Sequence, residues 1–125
     1  MILVSSFHVN SWEKYSKRFM ESFERYWPKS VKLYAFYHDG DLPEDAPKAT
    51  NIIYKKLEHE EMLKFKEQYK DKDGGTPYNY RLDAIKFCHK VFAITEMAEE
   101  LRQTKSKQKW LMWLDADTVT KKKIP

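Results

Sequence analysis

The residues best suited to chemistry lie near the carboxyl end of the chain, where two carboxylates follow an apolar run. The five residues of Trp110–Leu114 are all apolar, and Asp115, Ala116 and Asp117 come directly after them. A short uninterrupted apolar run is typical of a strand buried on both faces. Side chains alternate along a strand, so we expect both carboxylates on one side, about 6.6 Å apart. Two carboxylates this close repel each other unless a cation lies between them or they share a proton. The spacing therefore indicates a metal site, and a strand ending in a solvated acidic turn is an equally good interpretation.

A succession of strands and helices must position this pair. Apolar runs and alternating patterns predict four strands, over Ile2–Ser6, Val31–Tyr37, Asn51–Leu57 and Trp110–Leu114. Aromatic and apolar residues at spacings of three and four predict three helices, over Trp12–Tyr26 with a cap at Asn10 or Ser11, Glu58–Tyr69 and Tyr80–Arg102. The expected inner face of the third helix consists of Ala84, Cys88, Val91, Ala98 and Leu101.

This alternation of strands and helices predicts an α/β fold of Rossmann-like type, with a mostly parallel sheet and helices on both faces. Right-handed crossovers favour the strand order 3-2-1-4, in which the fourth strand returns to lie beside the first. Ligands of such sheets bind beyond the carboxyl ends of the strands, at the point where the order reverses. The loops expected to meet there are Ser5–Asn10 and Asp115–Thr118.

Composition restricts the class of protein. The 125 residues suit a single domain over 1–125, and 42% hydrophobic residues can form a core. The net charge of +4 comes from interspersed basic and acidic residues, without the basic stripe expected of a nucleic-acid-binding protein. A single cysteine excludes an internal disulfide, and neither a signal peptide nor a long apolar segment is evident. We therefore expect a cytoplasmic protein with no transmembrane segment and no nucleic-acid partner.

The acidic pair suits a hard divalent cation shared with a phosphate-bearing ligand. Such a cation, held by one or two carboxylates, completes its coordination with water and substrate phosphates. It can neutralise a diphosphate and stabilise it as a leaving group. Arg81 and Lys86, at the start of the third helix, can add positive charge. These residues favour a nucleoside diphosphate as ligand.

With these features the sequence resembles the nucleotide-sugar glycosyltransferases of GT-A fold. The resemblance is carried by the opening strand, the segment from Tyr80 to Lys86, and the apolar strand with its D-x-D pair. It implies Mn²⁺ or Mg²⁺ at Asp115 and Asp117, with Asp117 the more constant metal ligand. It also implies contacts to a nucleoside-diphosphate sugar, the donor, from Ser5, Ser6, Asp39, Arg81, Asp83, Lys86 and Asp115.

One departure from the family pattern limits this expectation. Members of the family continue beyond D-x-D with the acceptor site and the catalytic base, whereas this sequence reaches Pro125 eight residues after Asp117. We therefore expect a truncated GT-A core, the donor-binding half, completed by a further segment or by association with another copy. Sequence reasoning assigns no catalytic base, sugar or acceptor. The four histidines, His8, His38, His59 and His89, are interpreted as surface or packing residues.

Two other classes of protein remain open. The segment Leu114–Thr120 matches the first motif of haloacid-dehalogenase phosphatases, in which the first aspartate is a nucleophile and the second an acid or base. In that family the motif opens the domain and further catalytic residues follow it, so its position here argues against this class. The other alternative is a Rossmann-like nucleotide-binding or scaffold module without turnover.

Overall fold

Four parallel strands form one sheet in the computed structural model, which describes residues 1–125. The strands are β1 (Ile2–His8), β2 (Lys32–His38), β3 (Ile52–Lys56) and β4 (Leu111–Trp113). Their order in the sheet is β3-β2-β1-β4. The expected α/β class and the order 3-2-1-4 are confirmed. β1 is two residues longer than expected because its pairing with β2 continues to the register pair of His8 and His38.

Three α-helices cover the sheet, α1 (Lys17–Tyr26), α2 (Glu60–Gln68) and α3 (Ala84–Gln103). A 3₁₀ turn over Val9–Ser11 and a π-helical turn over Trp12–Ser16 precede α1. The expected cap by Asn10 or Ser11 is not formed, since the side chain of His8 accepts the hydrogen bond from the Asn10 N–H. A second 3₁₀ turn, Tyr80–Leu82, takes the place of the expected first turn of the third helix.

The two faces of the sheet carry separate apolar clusters, as strand alternation requires. Odd-numbered residues of β1 such as Leu3 and Phe7 pack with Phe19 and Phe23 of α1. Even-numbered residues such as Ile2 and Val4 lie in the other cluster, which includes Met62 of α2 and Cys88, Ala93 and Met97 of α3. The helices therefore lie on both faces, with α1 on one and α2 and α3 on the other.

The expected inner face of α3 is only partly correct. Cys88 is buried, and Leu101 is partly buried against the core. Val91, however, is 59% exposed, and Ala98 is exposed as well. The buried positions are instead Cys88, His89, Ala93 and Met97. The helix is thus rotated relative to the expectation, and a histidine faces the interior.

The acidic pair lies beyond the strand rather than on it. β4 ends at Trp113, and the backbone N–H of Thr118 donates to the Asp115 carbonyl 3.0 Å away, which closes a turn. The alternation used to place both carboxylates on one side therefore does not apply to them. β4 is also an edge strand, and Trp110 beside it is 74% exposed. None of the helices combines the length and apolar character that crossing a membrane requires.

Candidate functional site

The candidate site lies at the edge of the sheet where the parallel strands end. β1 and β2 end side by side at His8 and His38, and β4 leads into Asp115 on the other side of β1. A crossover helix between parallel strands runs antiparallel to them, so its first turns lie at this same edge. Lys90, in the first half of α3, accordingly lies 3.8 Å from an Asp115 carboxylate oxygen.

The two D-x-D carboxylates differ in their surroundings. Asp115 is exposed, and its Oδ1 accepts a 2.7 Å hydrogen bond from the indole N–H of Trp113. Asp117 is exposed and takes part in none of the side-chain hydrogen bonds or ion pairs of the structure, so both its oxygens can bind a ligand. Ala116 between them is 7% exposed and packs into the core on the α1 side. The turn is therefore anchored while both acids face solvent.

Lys90 is a candidate site residue that sequence reasoning missed. Its ammonium lies 5.0 Å from the centre of the Trp113 ring, in addition to its contact with Asp115. This arrangement holds a positive charge next to the acidic turn. The sequence contains one signal that could have found it, since Lys90 is one helical turn beyond Lys86 on the helix that leads to the D-x-D strand.

Asp83 is committed to the fold of the helix start. One carboxylate oxygen accepts a 2.8 Å hydrogen bond from the Lys86 N–H, and the other accepts a 2.7 Å bond from the Tyr78 hydroxyl. The residue is 8% exposed. This is an N-cap interaction, which satisfies a backbone donor that has no partner inside the helix. Asp83 therefore positions α3 and has little free surface for a donor contact.

Four other residues expected to bind the donor differ in how far they are exposed to solvent. Lys86 is exposed in the first turn of α3, and Arg81 is exposed in the preceding 3₁₀ turn, where its guanidinium lies over the Tyr80 ring. Ser6 is half-buried on the face covered by α2 and α3. Ser5 is fully buried on the opposite face, and its hydroxyl oxygen has no hydrogen-bond partner. Of these four, Ser5 alone is shielded from any ligand.

Asp39 lies at the centre of a cluster of charged and polar side chains. Its Oδ2 is 2.7 Å from His38 Nδ1 and 3.5 Å from His8 Nε2, and its Oδ1 is 3.6 Å from the Lys66 ammonium. Partial burial acts to raise the pKa of the Asp39 carboxyl, but the hydrogen bond from His38 and the charge of Lys66 outweigh it, so that the pKa is lowered. Asp39 has φ +61°, a left-handed conformation that is uncommon outside glycine. The carboxylate is therefore ionised and held by an unusual backbone.

His38 and His89 are buried neighbours in the same cluster. Each is under 10% exposed, and their rings stack with centroids 3.7 Å apart and planes inclined by 4°. Burial, assisted by the neighbouring His89, lowers the pKa of His38 to about 4. Burial likewise lowers the pKa of His89. Both rings are therefore neutral near pH 7 and can act as hydrogen-bond acceptors or metal ligands.

The interpretation of the histidines from sequence missed this cluster. His59 is separate, since its side chain accepts from the Glu61 N–H and caps α2. His8, His38 and His89 converge on Asp39 although they are 30 or more residues apart in the chain. One signal was present, because His8 and His38 follow two predicted strands that are neighbours in the expected sheet. His89 could not be added to them without the correct face of α3.

No protein-family model matches this chain, and neither a curated protein nor a solved structure is significantly similar to it. The fold is that of a parallel α/β domain, and a group of polar and charged side chains lies beyond its strand ends. A more specific function rests on the site residues themselves.

Proposed function

We propose that this chain is the donor-binding portion of a metal-dependent glycosyltransferase that uses a nucleoside-diphosphate sugar. The observation that carries the proposal is the position of the exposed Asp115–Asp117 turn, which follows β4 on the side of β1 where the strand order 3-2-1-4 reverses. Ligands of open α/β sheets bind beyond the carboxyl ends of the strands at such a point. The resemblance of the sequence to GT-A enzymes supports the same assignment.

The carboxylate oxygens at the turn are suitable ligands for a hard divalent cation. Asp117 has no competing partner, and Asp115 keeps one oxygen free while Trp113 holds the other. Carboxylate oxygens are the ligands that Mg²⁺ and Mn²⁺ prefer. A bound cation would neutralise the donor diphosphate and stabilise it as a leaving group. Asp115 and Asp117 would hold the cation.

The basic residues at the start of α3 suit the phosphates of the donor. Lys90 lies beside Asp115, Lys86 is exposed one turn nearer the start of α3, and Arg81 is exposed in the 3₁₀ turn before the helix. Cations on this side of the domain attract a metal-bound diphosphate, and Lys90 is close enough to the turn to bind its outer oxygens. In this arrangement Asp83 is a positioning residue, because its two hydrogen bonds fix the start of α3.

The nucleoside end of the donor suits the adjoining ends of β1 and β2. Ser6 is half-buried near the end of β1, and Asp39 follows β2 directly. A carboxylate at this position can accept hydrogen bonds from a ribose or a base. The acceptor and a catalytic base are not assigned, so the proposal concerns donor binding first and transfer second. A nucleotide-binding module without turnover would share the binding step.

Binding of nucleotides in the presence of metal tests the proposal. We expect the melting temperature to rise with Mn²⁺ and one nucleoside diphosphate from a panel, more than with either alone. The rise should shrink in Asp117→Asn because a free metal ligand is lost. Asp71→Asn, an exposed acid in the loop before the 3₁₀ turn, is the matched control and should behave like the parent chain.

Two results would contradict the proposal. One is the absence of any metal-dependent shift with uridine, guanosine, cytidine or adenosine diphosphates. The other is an equal shift in the parent chain and Asp117→Asn, which would place the nucleotide elsewhere. Hydrolysis or transfer of the sugar, measured with the nucleotide sugar that gives the largest shift, then separates an enzyme from a binding module.

A further inference from the structure

We propose that Asp39, His38 and His89 form a binding site for a transition-metal cation of the Zn²⁺ type, separate from the D-x-D pair. One ligand atom from each of these three residues lies within 4.8 Å of the others. They come from the end of β2 and from the buried face of α3. The proposal goes beyond donor binding and does not depend on it.

The distances from Asp39 to the two histidines lie on either side of the spacing between ligand atoms in a tetrahedral zinc site. Zinc bonds of 2.0–2.1 Å to nitrogen and oxygen place neighbouring ligand atoms about 3.3 Å apart. His38 Nδ1 is 2.7 Å and His89 Nε2 is 4.0 Å from the same Asp39 oxygen. The required spacing is reached if the His38 contact lengthens and the His89 contact shortens, each by less than 1 Å. The stacked rings must also tilt apart, since parallel imidazoles do not aim both lone pairs at one point.

Lys66 shows that this position accepts a cation. Its ammonium lies 3.1 Å from His89 Nε2 and 3.6 Å from Asp39 Oδ1, between two of the proposed ligands. An ammonium donates to His89 Nε2 only if that nitrogen is unprotonated. The lone pair that a metal needs is therefore already directed at a positive charge. Lys66 then acts as a competitor that a metal ion displaces.

The hydrogen bond on the other side of His89 suits a metal ligand. His89 Nδ1 lies 3.0 Å from the backbone carbonyl of Lys86, which accepts its N–H and leaves Nε2 free. Metal-binding histidines are commonly oriented by such a bond to a carbonyl or carboxylate. For His38, Nδ1 faces Asp39, so binding moves its hydrogen to Nε2 or to solvent. His8, with Nε2 3.5 Å from Asp39, adds a further polar contact to the carboxylate.

The mixture of ligands selects the class of metal. Two imidazoles with one carboxylate suit Zn²⁺, Cu²⁺ or Ni²⁺, whereas Mg²⁺ and Ca²⁺ prefer oxygen ligands alone. The oxygen-only turn at Asp115 and Asp117 has the opposite preference. The two sites should therefore be distinguishable by the metal that each takes.

Zinc binding to the full chain without a polyhistidine tag tests the proposal. Competition with a chromophoric chelator at pH 7.5, in the absence of nucleotide, should give one strong Zn²⁺ site per chain. Asp39→Asn and His89→Gln should each lower the affinity for Zn²⁺ by about tenfold or more. Removing the hydrogen-bond partner of a metal ligand already has an effect of this size, and removing the ligand itself should have at least the same effect. Asparagine tolerates the left-handed backbone at position 39, so this variant should fold.

Lys66 provides the sharpest comparison. Lys66→Met should strengthen Zn²⁺ binding by about fivefold, because a competing charge is removed. Lys64→Met on the same helix removes an exposed lysine paired with Glu60 and should leave the affinity unchanged. Asp117→Asn should also leave it unchanged.

Three outcomes would overturn the proposal. The first is no stoichiometric Zn²⁺ binding by the parent chain. The second is unchanged affinity in both Asp39→Asn and His89→Gln, when circular dichroism shows these variants folded. The third is loss of the site in Asp117→Asn, which would place zinc at the D-x-D turn. None of these measurements involves a nucleotide, so they leave the test of donor binding independent.

Discussion

His38 at the end of β2 and His89 on α3 stack face to face, with ring centroids 3.7 Å apart. Two protonated imidazoles at this separation would repel strongly, so the contact requires at least one neutral ring. It joins the end of a strand to the helix that leads to β4. The neighbouring α3 residues His89 and Lys90 contact Asp39 and Asp115 respectively, so α3 links the histidine cluster to the D-x-D turn.

The histidine stack makes stability depend on pH. The unfolded chain binds protons at its histidines near pH 6.5, whereas the pKa of His38 in the folded state is about 4. The unfolded state therefore holds more protons in this window, and stability present above pH 6.5 is lost as the pH falls toward 4. The difference corresponds to roughly 3 kcal/mol for His38. The titratable groups around His38 are His8, Asp39 and His89, and Lys66 contacts both Asp39 and His89.

Urea unfolding between pH 4 and pH 7.5, in the presence of a chelator, measures this dependence. We expect His38→Phe to unfold with a shallower pH dependence over the same range, because the titrating ring is replaced by an aromatic ring of similar shape. Identical pH profiles for the parent chain and this variant would show that His38 is not the group responsible.

Replacing Lys90 should change the affinity for the metal ion and the affinity for the metal–diphosphate complex in opposite directions. Its charge lies 3.8 Å from Asp115, so Lys90→Gln removes a cation that opposes metal binding. Both side chains are more than a third exposed, which limits the gain in Mn²⁺ affinity to about threefold. Affinity for the metal–diphosphate complex should fall by a similar factor, because a phosphate contact is lost. Calorimetric titrations with Mn²⁺ alone and with Mn²⁺ plus nucleoside diphosphate measure the two affinities. If both affinities rise or both fall in Lys90→Gln, Lys90 does not contact the phosphates as proposed.

Asp83 should contribute mainly to stability. Asp83→Ala removes the N-cap of α3 and the partner of the Tyr78 hydroxyl, and we expect a loss of about 1–2 kcal/mol in the free energy of unfolding. Tyr78→Phe, which removes one of these bonds at an exposed side chain, should destabilise the fold less than Asp83→Ala does. Denaturant melts measure both. A nucleotide affinity that falls in Asp83→Asn without any loss of stability would instead indicate a direct donor contact.

Ser5 should tolerate loss of its hydroxyl. The oxygen is buried without a partner, and an unpaired buried polar group costs about 1–3 kcal/mol. Ser5→Ala should therefore unfold at equal or higher denaturant concentration and bind nucleotide like the parent chain. Ser6→Ala is the informative comparison, because Ser6 is half-buried on the face where Asp39 lies. Reduced nucleotide binding in Ser5→Ala alone would contradict the placement of this residue.

The edge strand β4 predicts self-association. Its outer side has no neighbouring strand, and Trp110 next to it is 74% exposed. Unpaired edges and large exposed apolar side chains favour contact between copies. Trp110→Lys should shift the chain toward monomer in sedimentation velocity at tens of micromolar. A parent chain that is already monodisperse as a monomer at this concentration would rule the contact out.

The order of the elements could be predicted from the sequence because each element has its own local pattern. The apolar run before Asp115 and the aromatic spacing from Trp12 to Phe23 depend on residues close together in the chain. Handedness and the order of strands and helices then restricted the topology to the observed 3-2-1-4. The place of the acidic pair next to β1 follows from these local patterns together with the strand order, although the pair lies beyond the strand and not on it.

Tertiary structure alone decided which side chains meet. α3 has apolar residues around most of its circumference, with Phe87 46% and Val91 59% exposed, so its periodicity does not select a buried face. The buried face is fixed by packing on the sheet, which turns His89 toward His38. The convergence of His8, His38, Asp39 and His89 depends on strand register and helix rotation together, and neither is encoded in the spacing of those residues. The proposed metal site could therefore be inferred only from the folded chain, whereas the proposed donor site was already indicated by the sequence.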